Sequence, residues 1–310
     1  MGRAGHRRLP APDHRARPPA LRRVSACGLL LIDKPAGVTS HDVVNAARRA
    51  LGEKRVGHAG TLDPFATGLL VVLVGRATRL VPHVSGDPKV YAATVCFGAE
   101  TDTEDLLGTV TREARAPDAE SVRAAFPSLT GVLDQVPPAY SAKRVQGRRA
   151  YDLARAGEEV ALAPARVRVD GWELLAWRDG PPAACDVRVT CGPGTYVRSL
   201  ARDLGRATNS AAHLSALRRE RSGRFDVRDA VPLDALESGA VMLRPPLDAL
   251  PEHPVQPLDA VDVRRATGGN LVVARAEGAW ASLVDGATGA LVALAERRGE
   301  HWQPRVVLDG

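Results

Sequence analysis

Cysteine is scarce in this sequence: four in 310 residues, at positions 27, 96, 185 and 191, with no C-x-x-C pair. That excludes the ligand spacing of a structural zinc site and the dithiol of a redox motif, and nothing suggests a disulfide framework. Long apolar runs are missing too. None reaches the roughly 18 residues of a membrane-crossing helix, and the Arg- and Pro-rich N-terminus lacks the apolar stretch of a secretory signal. The expectation is a cytoplasmic protein with no membrane contact. Also absent are a G-x-x-x-x-G-K-[ST] phosphate loop, a dinucleotide fingerprint and the H-x-E…C-x-x-C pattern of zinc deaminases. No metal and no cofactor are therefore expected.

The formal net charge is +6, which invites a nucleic-acid reading. Residues 1–26 hold seven arginines and one aspartate, so this segment carries the whole excess and the remaining 284 residues are formally neutral. Distribution says more than the total. Residues 99–134 carry eight acids against three arginines, residues 140–206 twelve basic residues against eight acids, and residues 207–224 four arginines against one acid. A basic second half containing Tyr140, Tyr151 and Tyr196 could track a phosphate backbone; from charge alone, solvated helix faces are the favoured reading. Lysine occurs at only four positions.

Three stretches are expected. Residues 1–26, without periodicity, read as a disordered tail. From "GLLLIDKP" (28–35) to about residue 245, strands and helices mix without a regular βαβ repeat, which points to an α+β fold with a mixed, largely antiparallel sheet flanked by helices. Beyond the Pro-rich "LRPPLDALPEHPVQP" (243–257) a small β-rich domain is expected at 255–310, with "LVDGATGALVAL" as a hairpin. Within the body we expect a helix at 39–51 capped by Thr39 or Ser40, strands at 68–75 and 89–98, and a helix at 118–129 capped by Asp118. A further helix is expected over "GRRAYDLARAGEE", with strands over "ARVRVDGWELLAWR" and "ACDVRVTC".

The stretch "GHAGTLDPFATGLL" (57–70) holds a single carboxylate, Asp63, among glycines and apolar residues. An aspartate before a proline is the pattern of a helix N-cap with Pro at the first position. The alternative is a functional carboxylate: Gly57, Gly60 and Gly68 suit close approach of a ligand or another backbone. A desolvated carboxylate needs a cation, and Arg198 in "GTYVRSLARDLG" is the candidate, in a turn that runs through a strand end, presenting Tyr196 and Arg198 on one face, into a helix.

These segments, together with "KVY" (89–91), "PPAYSAKRVQGRRAYDLAR" (137–155) and "LLLIDKPAGVTSHDVV" (29–44), resemble the successive motifs of the TruB family, the bacterial tRNA pseudouridine-55 synthases. The resemblance covers residues 28–225 closely and the remainder loosely. Ala59 and Phe65 stand where Thr and Leu are commoner, and Arg144 where a lysine is usual.

The resemblance implies a pseudouridine-synthase fold with a C-terminal PUA-like RNA-binding domain. It implies an isomerase that flips out the T-loop uridine of tRNA and needs neither cofactor nor guide RNA. Asp63 would be the catalytic aspartate, Tyr91 would stack on the base, and Arg198 would pair with Asp63. Tyr196 and Leu217 would line the pocket. His58 would fill the space left by the flipped nucleotide, and Lys34 and Pro35 would form a turn beside it. Arg79, Lys143, Arg144 and Arg148 are the candidate contacts to the RNA backbone, and a monomer is expected. Two other readings stay open: an RNA-binding or tRNA-folding module with a vestigial pocket, and a relative of the guide-RNA-dependent enzymes.

Overall fold

The structure, a computed structural model, describes residues 26–84, 86–141, 143–145, 148–156, 158, 162–236 and 241–308. The expected disordered tail, apart from Ala26, lies outside the described residues.

A ten-stranded sheet forms the body, and its core is built from short apolar runs. Its path runs from Val231–Pro232 through Gly28–Lys34, Thr67–Val74, Ala212–Ser222, Lys89–Phe97, Ala184–Cys191 and Ala165–Arg178 to Gly131–Gln135. Val56–His58 and Phe225–Asp226 pair beside this path. All its ladders are antiparallel except Val231–Pro232 on Gly28–Lys34 and Ala212–Ser222 on Thr67–Val74, so the α+β reading holds.

The continuous apolar sequence of Thr67–Val74 is explained by cover on both faces. Leu70, Val72 and Val74 pack with Val43, Val44 and Ala47 of the Ser40–Leu51 helix. Leu69, Val71 and Leu73 pack with Val284, Leu291, Leu294 and Val306 of a second sheet. In Lys89–Phe97 the alternation is regular: Tyr91, Ala93, Val95 and Phe97 share a core with Leu200, Ala201 and Leu204 of the Val197–Ala207 helix.

Gly68 is required by a close approach. At φ +98°, a Cβ there would lie 2.3 Å from the Arg219 carbonyl oxygen. Any side chain would separate the parallel pair Gly68 and Arg219.

The second sheet orders Val255–Leu258, Trp280–Asp285, Leu291–Arg298, His301–Val307 and Val272–Val273. It contains the expected hairpin, with the Ala260–Thr267 helix packed on it. Its centre is one amide. Gln256, 2% exposed, accepts through Oε1 from the backbone N–H groups of Arg275 (2.7 Å) and Ala276 (3.1 Å) and from Trp302 Nε1 (2.8 Å). Its Nε2 donates to the Val273 carbonyl at 2.9 Å. Gln256→Ala leaves three donors and an acceptor without their partner, the fully buried Trp302 indole among them. Urea unfolding should report a loss of about 3 kcal/mol; an unchanged midpoint would mean that water replaces the amide.

Several elements differ from expectation. The helix begun by Asp118 is α-helical only over Ala119–Ala125 and continues as 3-10 over Phe126–Leu129, because Pro127 brings no N–H to an α-helical turn. In the "GRRAYDLARAGEE" stretch only Ala150–Arg155 is helical, preceded by a short ribbon of Arg144–Val145 and Arg148–Arg149; parts of this stretch lie outside the described residues. Arg198 is not at a strand end. The strand stops at Cys191, ahead of Gly192–Pro193–Gly194, and the expected helix begins at Val197 with Tyr196 as its N-cap residue.

The four cysteines are free thiols, and burial pushes Cys185 up to about 12 and Cys191 up to about 11. Among the described residues no helix is long and apolar enough to cross a membrane.

Candidate active site

Asp63 lies in the irregular chain between Val56–His58 and Thr67–Val74. No helix starts there, so the capping reading fails. What fixes the loop is a set of distant partners. Ser40 Oγ, buried at the start of its helix, accepts from Leu62 N (2.8 Å) and donates to the Leu62 carbonyl (3.0 Å). On the other side of Asp63, the Pro64 carbonyl accepts from Gly37 N at 2.8 Å and from Lys34 Nζ at 3.3 Å. The backbone of Asp63 is thus held from both sides without its own side chain.

The carboxylate meets Arg198 in a two-bond fork: Nε to Oδ2 at 2.9 Å and Nη2 to Oδ1 at 3.2 Å. Arg198 also donates to the carbonyls of Thr103 (2.8 Å) and Tyr140 (2.9 Å), and Asp105 Oδ2 stands 4.0 Å from Nη1. The two partners differ in exposure. The Arg198 side chain is 4% exposed and that of Asp63 34%, so the guanidinium is built in while the carboxylate faces a cavity.

That cavity, about 250 Å³, is lined by Asp63, Leu62, Tyr91, Tyr196, Leu217 and Arg198, with Ser141, Lys89 and Arg219 in its wall. It is of a size for one nucleotide rather than a duplex. Tyr91 is 7% exposed; burial raises its phenol above the usual range, with the Arg219 guanidinium opposing. Tyr196 is held through its backbone, its N–H donating to Gln135 Oε1 (2.9 Å) and its carbonyl accepting from Gln135 Nε2 (3.1 Å). On the far side of Asp63 a second recess is lined by Phe65, Thr103, Asp105, Tyr140, Ser141 and Tyr151. A larger apolar cleft of about 1010 Å³ runs past Phe65, Leu106, Leu107 and Leu217 but contains neither Asp63 nor Arg198.

The structure therefore brings Asp63, Tyr91, Arg198, Tyr196 and Leu217 around one cavity. Lys34 and Pro35 are not in its lining. Lys34 is fully buried and donates to the carbonyls of Pro35 (3.0 Å), Val38 (2.7 Å) and Pro64, bracing the loop from behind. His58 is also outside the lining; its Nδ1 is buried and has no hydrogen-bond partner among the described residues, and burial lowers its pKa, with Arg219 adding to the effect.

Of the proposed RNA-backbone contacts, Arg79 donates to the Val307 carbonyl at 2.8 Å, Arg148 pairs with Glu158 at 2.9 Å, and Lys143 is partly buried. The side chain of Arg144 lies outside the described residues. Ser40, Gln135, Lys89 and Arg219 were not singled out from sequence as functional. Lys89 opens the "KVY" motif and Arg219 follows Leu217 by two residues, so position in a motif was the available signal.

Burial lowers the Lys34 pKa from 10.5 to about 8, against the opposing field of Asp63. The folded state then holds this proton less tightly than the unfolded chain. The contribution of Lys34 to stability is flat below pH 8 and rises with pH between about 8 and 10.5. Urea midpoints measured across that window for wild type and Lys34→Met should diverge in favour of wild type; parallel curves would refute a depressed lysine.

The carboxylate, its guanidinium and the aromatic walls suit nucleophilic or electrostatic attack on a flat, neutral ring. Among the described residues no cluster of three His, Cys, Asp or Glu side chains is placed to hold a metal ion.

Comparison with known proteins gives the family. The profile of the TruB family pseudouridylate synthase (N terminal domain) matches residues 48–197, and that of the tRNA pseudouridylate synthase B C-terminal domain matches residues 198–261. The chain is 44% identical over 292 residues to a tRNA pseudouridine synthase B of Thermobifida fusca, covering 92% of this chain and 99% of that one. To one of Gloeobacter violaceus it is 43% identical over 288 residues, covering 91% and 98%.

Among solved structures, an H/ACA RNP bound to a substrate RNA containing 2′-deoxyuridine superposes with a TM-score of 0.66 at 21% identity, over 91% of this chain and 85% of that one. The Nop10–Cbf5 complex of an archaeal box H/ACA sRNP gives 0.65 at 23%, over 90% and 85%. These two show the shared fold. Identity above 40% across nearly the full length of the bacterial relatives shows more: the chain belongs to the TruB family of pseudouridylate synthases.

Proposed function

We infer that the protein isomerises a uridine of tRNA to pseudouridine, that the target is the T-loop uridine at position 55, and that Asp63 is the catalytic group. The observation that carries this is the Asp63–Arg198 fork, with the carboxylate open to a cavity walled by Tyr91, Tyr196 and Leu217.

The reaction breaks the N1–C1′ bond, turns the base over and joins C5 to C1′, so the hydrogen on C5 leaves to solvent. There is no net redox change. It needs an ionised carboxylate beside the uridine, walls that keep the detached base from escaping, and a way to take the base out of its stack. Arg198 aims the Asp63 carboxylate through its two-bond fork. Leu62 and Leu217 confine the base. Tyr91 stacks on it, and stacking at about 1–3 kcal/mol per base offsets the few kcal/mol of flipping.

The relatives that cover nearly all of this chain are named for tRNA, which favours tRNA as the substrate; we take the enzyme to act as a monomer and without a guide RNA. We assign catalysis to residues 27–245 and an RNA contact to the PUA-like residues 255–310. The test is tritium release from T-loop RNA made with [5-³H]uridine. Release without any guide RNA is expected; tight binding with no release would leave an RNA-binding module in its place.

A further inference from the structure

We propose that Lys89 and Arg219 form an anion subsite in the wall of the Asp63 cavity and that it takes a phosphate of the RNA strand next to the target uridine. The proposal rests on the uridine reading above and adds a contact which that reading does not require.

The starting point is charge without compensation. Three cations, Lys89, Arg198 and Arg219, line the cavity against one carboxylate, Asp63, which Arg198 already occupies. Arg219 is 1% exposed and is held by neutral oxygens: Nε to Leu69 O (2.7 Å), Nη1 to Thr61 O (3.3 Å) and Nη2 to Gly60 O (3.0 Å). Among the described residues it has no ion pair. Lys89 is partly buried at the first position of its strand, and its ammonium has neither an ion pair nor a hydrogen bond among the described residues. The nearby Asp87 is engaged by Arg168.

A buried guanidinium without an acidic partner is costly, and a second cation beside it adds repulsion. A uracil and a ribose, both neutral, relieve neither. A phosphate relieves both.

The geometry leaves room for one. A methyl group placed on Gly60 would lie 3.6 Å from Arg219 Nη1 and 3.9 Å from Lys89 Nζ, so both cationic heads flank the same point. A methyl on Gly86 would stand 3.3 Å from Lys89 Cε and 3.9 Å from its Nζ. Glycine at 60 and 86 thus keeps the ammonium approachable. Burial and the Arg219 charge both lower the Lys89 pKa, an effect that an arriving phosphate reverses.

Arg219 also holds the loop through Gly60 and Thr61, so the test is made at Lys89. Wild type, Lys89→Met and Lys89→Arg are compared for KM and kcat by tritium release and for the salt dependence of RNA binding. The RNAs carry either native linkages or a single uncharged methylphosphonate 5′ or 3′ of the target uridine.

Lys89→Met should raise KM about tenfold with kcat within about twofold, and flatten the salt slope by about one phosphate contact. Lys89→Arg should restore both. One of the two methylphosphonates should weaken wild type about tenfold and leave Lys89→Met no worse. Equal sensitivity of both proteins to each methylphosphonate, or a loss in kcat with KM unchanged, overturns the proposal. If wild type releases no tritium, the uridine reading fails instead, while the binding and methylphosphonate arms still judge the phosphate subsite.

Discussion

Asp63→Asn should stop tritium release, lowering turnover by at least about 10⁴-fold, while RNA binding stays within a few-fold of wild type. The two outcomes separate because the loop does not depend on its carboxylate for shape. Ser40 clamps Leu62, and Gly37 and Lys34 clamp Pro64, all through backbone atoms that the substitution leaves alone. Asparagine has nearly the same volume and can still accept one Arg198 bond. What it lacks is the charge that attacks or stabilises. Single-turnover kinetics with filter binding on the same samples checks both halves. Joint loss of binding and turnover would make Asp63 a structural residue and remove the basis for the assigned chemistry.

Arg198→Met is the second large effect, and it differs in kind. The guanidinium makes four hydrogen bonds, two to Asp63 and one each to the carbonyls of Thr103 and Tyr140. Its removal leaves a carboxylate without its cation and two backbone acceptors without donors. Turnover should fall by about 10²–10³-fold, the usual consequence of deleting a preorganised electrostatic partner. Because the side chain is 4% exposed, stability should fall as well, by about 3–5 kcal/mol, read as a lower Tm. Arg198→Lys keeps the charge but not the fork, since one ammonium cannot reach Asp63 and both carbonyls with the same geometry. It should sit between wild type and the methionine variant in both measurements. Wild-type turnover in Arg198→Lys would show that charge alone suffices and that the fork is incidental.

Much of this was legible in the residues. The apolar run before Gly75 marked a strand buried on both faces, and the glycines around Asp63 signalled close approach, which Gly68 fulfils against the Arg219 backbone. The identity of the Asp63 partner was readable as well. Its setting was legible in part: a helix was expected here, but Gly192–Pro193–Gly194 ends the strand early, and the alternation across Tyr196 and Arg198 mimicked a strand end at the first residues of that helix. The clamps were invisible for another reason. Ser40 and Leu62 lie 22 residues apart, Gln135 and Tyr196 lie 61, and Leu69 and Arg219 lie 150. No local periodicity connects side chains at such separations; only the register of the folded sheet does.

Those separations bear on when the cavity comes into being. Asp63 meets its guanidinium across 135 residues of chain, and the loop before it rests on an arginine that follows later still, at 219. A chain emerging from the ribosome has its carboxylate long before it has a place for that carboxylate to work. The non-local pairing that assembles the sheet is slow compared with helix formation. Until it is done, the acidic loop is exposed and chemically idle. On the proposed roles, a product truncated before residue 198 would hold Asp63 without the guanidinium that aims it.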